Sequence, residues 1–205
     1  MRFYSQQGED EFLYNKWLNY KNGFFIELGA MNGITFSNTK FFEDELGWNG
    51  ILIEPTNQYN NLIINRPNCS NFNYAISENE GKIDFLGHSA IGGILDTMNE
   101  QHKTNWGLTE KPPFKVKSIP FFKITNDMSI DKVDLFSIDV EGGEYGVLNS
   151  FDWNIPVYIV LVELDRSNLD KDGKCRKILT DNGFKYDCRI GLDEVWMNEK
   201  NKRNE

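Results

Sequence analysis

The sequence predicts a three-layer α/β sandwich, with a mostly parallel sheet covered by helices on both faces and an antiparallel C-terminal hairpin. Two observations carry this reading. Short, near-continuous runs of Val, Ile, Leu and Phe alternate with amphipathic stretches, as buried parallel strands alternate with crossover helices. Most of those runs end in glycine or an acidic residue, and the last two lie close enough together to form a hairpin edge.

Taken in order, Phe24–Leu28 reads as a buried strand ended by Gly29. Ser37–Leu46 follows as a helix, with Ser37 or Asn38 able to cap it and Phe41, Phe42 and Leu46 on one face; Gly47 stops it. Ile51–Glu54 is the second strand, closed by Pro55, and Tyr59, Leu62 and Ile63 mark 57–65 as the second helix. Phe72–Ile76 reads as a third strand and Lys82–Leu86 as a short alternating one beside it. Residues 87–130 contain Gly92-Gly93, Pro112-Pro113 and Pro120 and show no sustained period, so they are expected to form a substrate-facing insertion. The alternation then resumes with strand Val133–Ile138, helix Glu144–Phe151, strand Val157–Leu164 and helix Lys171–Asn182. Phe184–Arg189 and Glu194–Asn198 form the hairpin. With no repeat and no long linker, 1–205 reads as a single Rossmann-like domain, residues 1–22 forming an N-terminal cap.

Composition narrows the function. The 205 residues are 40% hydrophobic and 14% aromatic, enough for a real core, and carry a net charge of −9. So acidic a chain is a poor partner for nucleic acid or an anionic membrane, both of which need a concentrated Lys/Arg face. No run approaches the roughly 18–20 apolar residues of a membrane span. The N-terminus turns acidic by residue 9, where a signal peptide would be apolar. Cys69, Cys175 and Cys188 are odd in number and widely spaced, as expected of reduced thiols in a soluble cytoplasmic protein.

In an open parallel sheet ligands bind beyond the carboxyl ends of the strands. Those ends are Glu27-Leu28-Gly29, Glu54-Pro55, Asp139-Val140-Glu141 and Glu163-Leu164-Asp165. After the first strand the spacing is E-x-G-x-x-x-G, through Gly29 and Gly33, where a dinucleotide site wants G-x-G-x-x-G. A carboxylate there repels pyrophosphate but suits a cofactor bearing an ammonium and a sulfonium. Glu54, at the next strand end, is placed to accept from two ribose hydroxyls. The reading favours S-adenosylmethionine (SAM) over a nicotinamide dinucleotide; an oxidoreductase and a non-catalytic binding module are the competing classes.

Six segments together resemble the FkbM family of SAM-dependent methyltransferases: YSQQGED at 4–10, FFIELGAMNG at 24–33, SNT at 37–39, LGWNGILIEP at 46–55, NYAIS at 73–77 and IDVEGGEY at 138–145. The resemblance implies the class I methyltransferase fold and an O-methyltransferase acting on hydroxyls of polyketides or of sugars in glycans. It implies that Glu27, Gly29, Ala30, Asn32 and Gly33 wrap the methionine half of SAM, with Ser37, Asn38 and Thr39 taking its carboxylate. Glu54 and Pro55 would hold the ribose, Ala75, Ile76 and Ser77 would flank adenine, and the stretch containing Gln6 would fold over the cofactor as a lid. Met31 departs from the pattern, standing where many relatives of this fold carry a third glycine. The start of the first motif at residue 4 also fits a domain cut from a longer chain.

Methyl transfer to an alcohol needs alignment and a proton acceptor. Asp139, which ends the strand next to the cofactor strand and is also a candidate cofactor contact, is the first choice for the base, followed by Glu141 and Glu163, with His88 preferred to His102 as the histidine alternative. Asp139 and Glu163, with Asp165 in reserve, match the places where related metal-dependent enzymes hold Mg²⁺. Trp106, Phe114, Phe121 and Phe122 are candidates to stack on a sugar ring.

Overall fold

The computed structural model describes residues 1–126 and 128–203. A short helix, α1 (Glu9–Lys16), precedes β1 (Phe24–Leu28), α2 (Lys40–Leu46), β2 (Asn49–Ile53), α3 (Tyr59–Asn65) and β3 (Ser70–Phe72). Then come β4 (Ala75–Ile76), β5 (Gly81–Leu86), β6 (Gly93–Ile94), α4 (Glu100–Asn105), β7 (Phe114–Ile119) and α5 (Phe122–Thr125). The chain continues through β8 (Val133–Ile138), α6 (Glu144–Ser150), β9 (Val157–Glu163), α7 (Leu169–Asp181), β10 (Lys185–Ile190) and β11 (Asp193–Met197).

The central sheet has seven strands in the order β10-β11-β9-β8-β1-β2-β3. From β9 to β3 every pair is parallel, and β11 runs antiparallel to both β9 and β10. The α/β class and the antiparallel closing hairpin are as the sequence predicts. Strand order reverses between β1 and β8, which makes their carboxyl ends the ligand-binding crevice of such a sheet.

Side-chain alternation divides the core between the two faces. Ile26, Leu28, Phe136, Ile138, Val160 and Val162 pack on one side with Val147 and Leu148 of α6 and Leu179 of α7. Phe25, Leu52, Leu135, Ile159 and Leu161 face the other side with Leu13 of α1 and Phe41 and Phe42 of α2. The same alternation turns Glu27 toward the α2 side, with Phe25.

The expected third strand, 72–76, divides in two. β3 pairs with β2, whereas β4 leaves the main sheet to pair with β7 in a second, four-stranded sheet ordered β4-β7-β5-β6. Two of its strands, β6 and β7, lie in the segment expected to be irregular, and the sheet covers one side of the crevice. Residues 37–39 form the turn before α2 and not its first turn, for reasons that lie in Glu27. Among the described residues no helix is long and apolar enough to cross a membrane.

Candidate active site

Strand register builds the site. Leu28 pairs with Ile53 on one side and Ile138 on the other, Ile138 pairs with Val162, and Glu163 pairs with Asp193. The next position on each strand therefore forms a row across the sheet edge: Glu54, Gly29, Asp139, Glu163 and Asp193. Gly29 sits at φ +75°, and a Cβ there would lie 1.9 Å from the Asp139 carbonyl oxygen. Only glycine lets the β1 and β8 ends meet so closely.

Two cavities join at this row. A narrow one is lined by Gly29, Met31, Glu54, Pro55, Thr56, Ala75, Ile76 and Phe85. A wide cleft of about 660 Å³ is lined by Gln6, Glu9, Phe36, Asn38, His88, His102, Trp106, Glu163, Asp165, Leu192 and Asp193. Asp139 and Glu141 border both.

At the narrow cavity the Glu54 carboxylate accepts from the Met31 N–H at 3.0 Å and from Thr56 through its N–H at 2.8 Å and its hydroxyl at 2.5 Å. Burial pushes its pKa up, and these hydrogen bonds to the charged form oppose the shift. Met31 holds φ +49° to make its bond, the left-handed backbone that a glycine would adopt freely. Thr56 escaped the sequence reading, although a hydroxyl two residues after a strand-end acid is a common local partner.

Glu27 does not reach either cavity. Its carboxylate accepts from Ser37 Oγ at 2.9 Å, Asn38 N–H at 2.7 Å and Thr39 Oγ at 2.5 Å, and Arg66 stands 3.9 Å away. Ser37 and Thr39 thus receive a carboxylate, as expected of them, but it is the protein's own. Ala30 packs into the core on the α2 face, and Gly33 lies under Arg66. The Asn32 side chain is spent on the Ile34 and Thr35 N–H groups. Asn38 binds Ser137 through its amide and still borders the wide cleft. Ser77 faces a separate groove behind the loop at 142–146, while Ala75 and Ile76 line the narrow cavity.

The wide cleft is acidic. One oxygen from each of Asp139, Glu141 and Glu163 lies within 4.8 Å of the others. Asp139 opens onto the cleft, yet protein on its remaining sides and the Glu144 carboxylate push its pKa up to about 6. Burial, then the neighbouring carboxylates, push Glu141 and Glu163 up as well. Asp193, desolvated beside Asp139 and Glu9, is pushed up to about 8. Glu141 also takes a left-handed backbone, φ +52°, and its oxygen lies 3.3 Å from His102 Nδ1. His102 Nε2 faces the Ile91 carbonyl at 3.2 Å, which can only accept, so Nε2 is the donor of that contact. His88, favoured by sequence, lies flat on Phe114 with ring centroids 5.0 Å apart; the histidine in contact with an acid is His102.

Of the aromatic candidates, Trp106 is 56% exposed on the cleft wall. Phe121 is fully buried against Phe136 and Phe151 and is a core residue. Phe114 packs on Phe85 and His88, and Phe122 lies outside the cleft lining. Phe36 and Leu192 were missed, and both are exposed apolar residues on the rim.

The sequence pattern of the methyltransferase FkbM domain matches residues 27–186. The chain belongs to the FkbM methyltransferase family. No curated protein sequence matches it. Among solved structures, the precorrin-6y C5,15-methyltransferase of Geobacter metallireducens is 11% identical with a TM-score of 0.48, over 91% of this chain and 86% of that one. A putative sarcosine dimethylglycine methyltransferase from Galdieria sulphuraria is 13% identical with a TM-score of 0.42, over 86% of this chain and 61% of that one. Membership of the FkbM family implies SAM as the methyl donor. The residues suit it: a strand-end acid at a narrow apolar-walled cavity, opening onto a wide cleft of carboxylates that favours positive charge. Asp139, Glu141 and Glu163 offer only oxygen donors, the set a hard divalent cation takes.

Proposed function

We propose that this FkbM protein is an O-methyltransferase that moves the methyl group of SAM to a sugar hydroxyl, most directly one within a glycan. The observation that carries the reading is the junction at Asp139, a strand-end carboxylate that borders both the narrow slot beside Glu54 and the wide acidic cleft. When bound, SAM supplies an electrophilic methyl on sulfur. Glu54 accepts from the ribose hydroxyls, with Pro55 beside it, and Ala75, Ile76 and Phe85 enclose adenine. Gln6 and Asn38 face the methionine end, so the N-terminal stretch forms part of its cover.

The protein's task is to hold the acceptor oxygen in line and to receive its proton. A near-attack separation of about 3–3.5 Å is worth roughly 7–11 kcal/mol against the solution reaction. Asp139 is the proton acceptor, since a base works best with a pKa near the operating pH. Glu141 and Glu163 orient the hydroxyl, and Trp106 and Phe36 offer the apolar face on which a sugar ring stacks. Residues 87–130, which supply His88, His102 and Trp106, serve as the acceptor-facing insertion. The three carboxylates also suit Mg²⁺, which would stabilise the developing alkoxide. Among the described residues no Lys or Arg lines the cleft, which favours neutral or cationic sugars over acidic ones.

The test is calorimetric titration with SAM, followed by mass spectrometry of a glycan and small-alcohol panel with and without Mg²⁺ and chelator. One methyl added to a sugar oxygen is expected. Folded protein that binds no SAM, or methyl found only on nitrogen or carbon, defeats the reading.

A further inference from the structure

Helix α3 turns back from the Glu54 strand so that its last residues lie beneath the loop that follows β1. Asn65 Nδ2 donates to the Asn32 carbonyl at 2.8 Å. The next residue, Arg66, is fully buried, and its guanidinium spends its donors on the same segment. Nη1 donates to the Gly33 carbonyl at 3.1 Å and Ser37 Oγ at 3.3 Å, and Nη2 donates to Thr39 Oγ at 3.1 Å. Nε pairs with Glu43 of α2, and Glu27 lies 3.9 Å from Nη1. Gly33, at φ +80°, lacks the Cβ that would stand 2.7 Å from Arg66 Cγ, so the loop is shaped to receive this side chain.

We infer that Asn65 and Arg66 form a positioning clamp that sets the 32–39 segment for cofactor binding without touching the cofactor. The inference rests on the SAM-binding reading above. A guanidinium suits the task because its planar fork holds several acceptors at fixed angles, which an ammonium cannot do. Between the clamped Ser37 and Thr39 lies Asn38, which lines the wide cleft where the methionine half of SAM is proposed to lie. The adenosine half rests on Glu54, Ala75 and Ile76, which the clamp does not contact; Met31, whose N–H donates to Glu54, precedes the clamped residues. The two halves of one ligand should therefore respond differently when the clamp is loosened.

The experiment measures binding of SAM and of 5′-methylthioadenosine, which lacks the amino-acid end, to wild type, Asn65→Ala and Arg66→Lys. Amide hydrogen exchange is followed on each protein without ligand. Asn65→Ala keeps the experiment decisive should Arg66→Lys fail to fold. Expected are a fivefold or greater loss of SAM affinity in each folded variant, 5′-methylthioadenosine affinity within twofold of wild type, and faster exchange confined to about residues 32–39. A merely structural role would weaken both ligands together. Equal weakening of both, or wild-type SAM affinity with unchanged exchange at 32–39, overturns the clamp. If wild type binds no SAM, the functional reading fails, and unchanged exchange at 32–39 still overturns the clamp by itself.

Discussion

Glu27 and Glu54 end neighbouring strands, but the pleat and the register give them different surroundings. Glu27 is enclosed by the turn before α2, whereas Glu54 lines a cavity. Glu54→Gln removes the charge that would bind ribose hydroxyls and unbalances the Met31 and Thr56 bonds. A hydrogen bond to a charged group contributes about 1.5–3 kcal/mol, so SAM affinity should fall roughly tenfold to a hundredfold by calorimetry. Affinity unchanged within twofold would remove Glu54 from the site. Asp139→Asn should lower kcat by about 10²–10⁴ while SAM affinity changes little. The pH dependence has a definite sign: Asp139 works deprotonated, so the wild-type rate should rise through about pH 6 and then level off. That rising limb should vanish in the variant, and its persistence would point to another base.

Elements matter here chiefly through how closely β1 and β8 approach. Gly29→Ala adds a Cβ where the Asp139 carbonyl already sits, on a backbone at φ +75°. The left-handed strain alone costs about 1–3 kcal/mol, and the collision forces the strand ends apart as well. Chemical denaturation should show a loss of at least ~2 kcal/mol together with lost SAM binding; a stable variant that binds SAM normally would refute the argument. The sequence reading succeeded where an element's signal is local. Runs such as Phe24–Leu28 and Val157–Glu163 are buried on both faces, and their composition says so. It missed β7 because proline flanks the strand, although Lys115 and Lys117 alternate with the inward-facing Val116 and Ser118. It misplaced Glu27 because a strand-end acid was read by position, without following the two-residue period that pairs it with Phe25. Phe121 and Trp106 have the same apolar chemistry, and only packing separates a core ring from a cleft wall. Asp193 joined the site through its cross-strand pairing with Glu163, a register that no short segment of sequence displays.

At the scale of the whole molecule, a chain of net charge −9 gathers several of its acids around one cleft. Asp139, Glu141, Glu163 and Asp193 all have pKa values raised by the fold, Asp139 to about 6 and Asp193 to about 8. A carboxyl whose pKa is raised on folding binds its proton more tightly in the native state. Its contribution to stability is therefore complete below the unfolded pKa, about 4, and is lost as pH rises through the folded value. Asp44 and Glu194 shift the other way, but their contribution changes only below about pH 4. The ligand-free protein should accordingly have a lower Tm at pH 8.5 than at pH 5.5. Asp193→Asn removes one ionising group from the cluster and should flatten that decline. A cation that settles among the carboxylates binds the native state alone, so it should raise Tm more at pH 8.5 than at pH 5.5. Thermal unfolding across this range, with SAM, Mg²⁺ or neither, measures all three effects. A Tm that rises toward pH 8.5 in the ligand-free protein would mean that the cleft does not store carboxylate repulsion, and the preference for positively charged ligands would lose its physical basis.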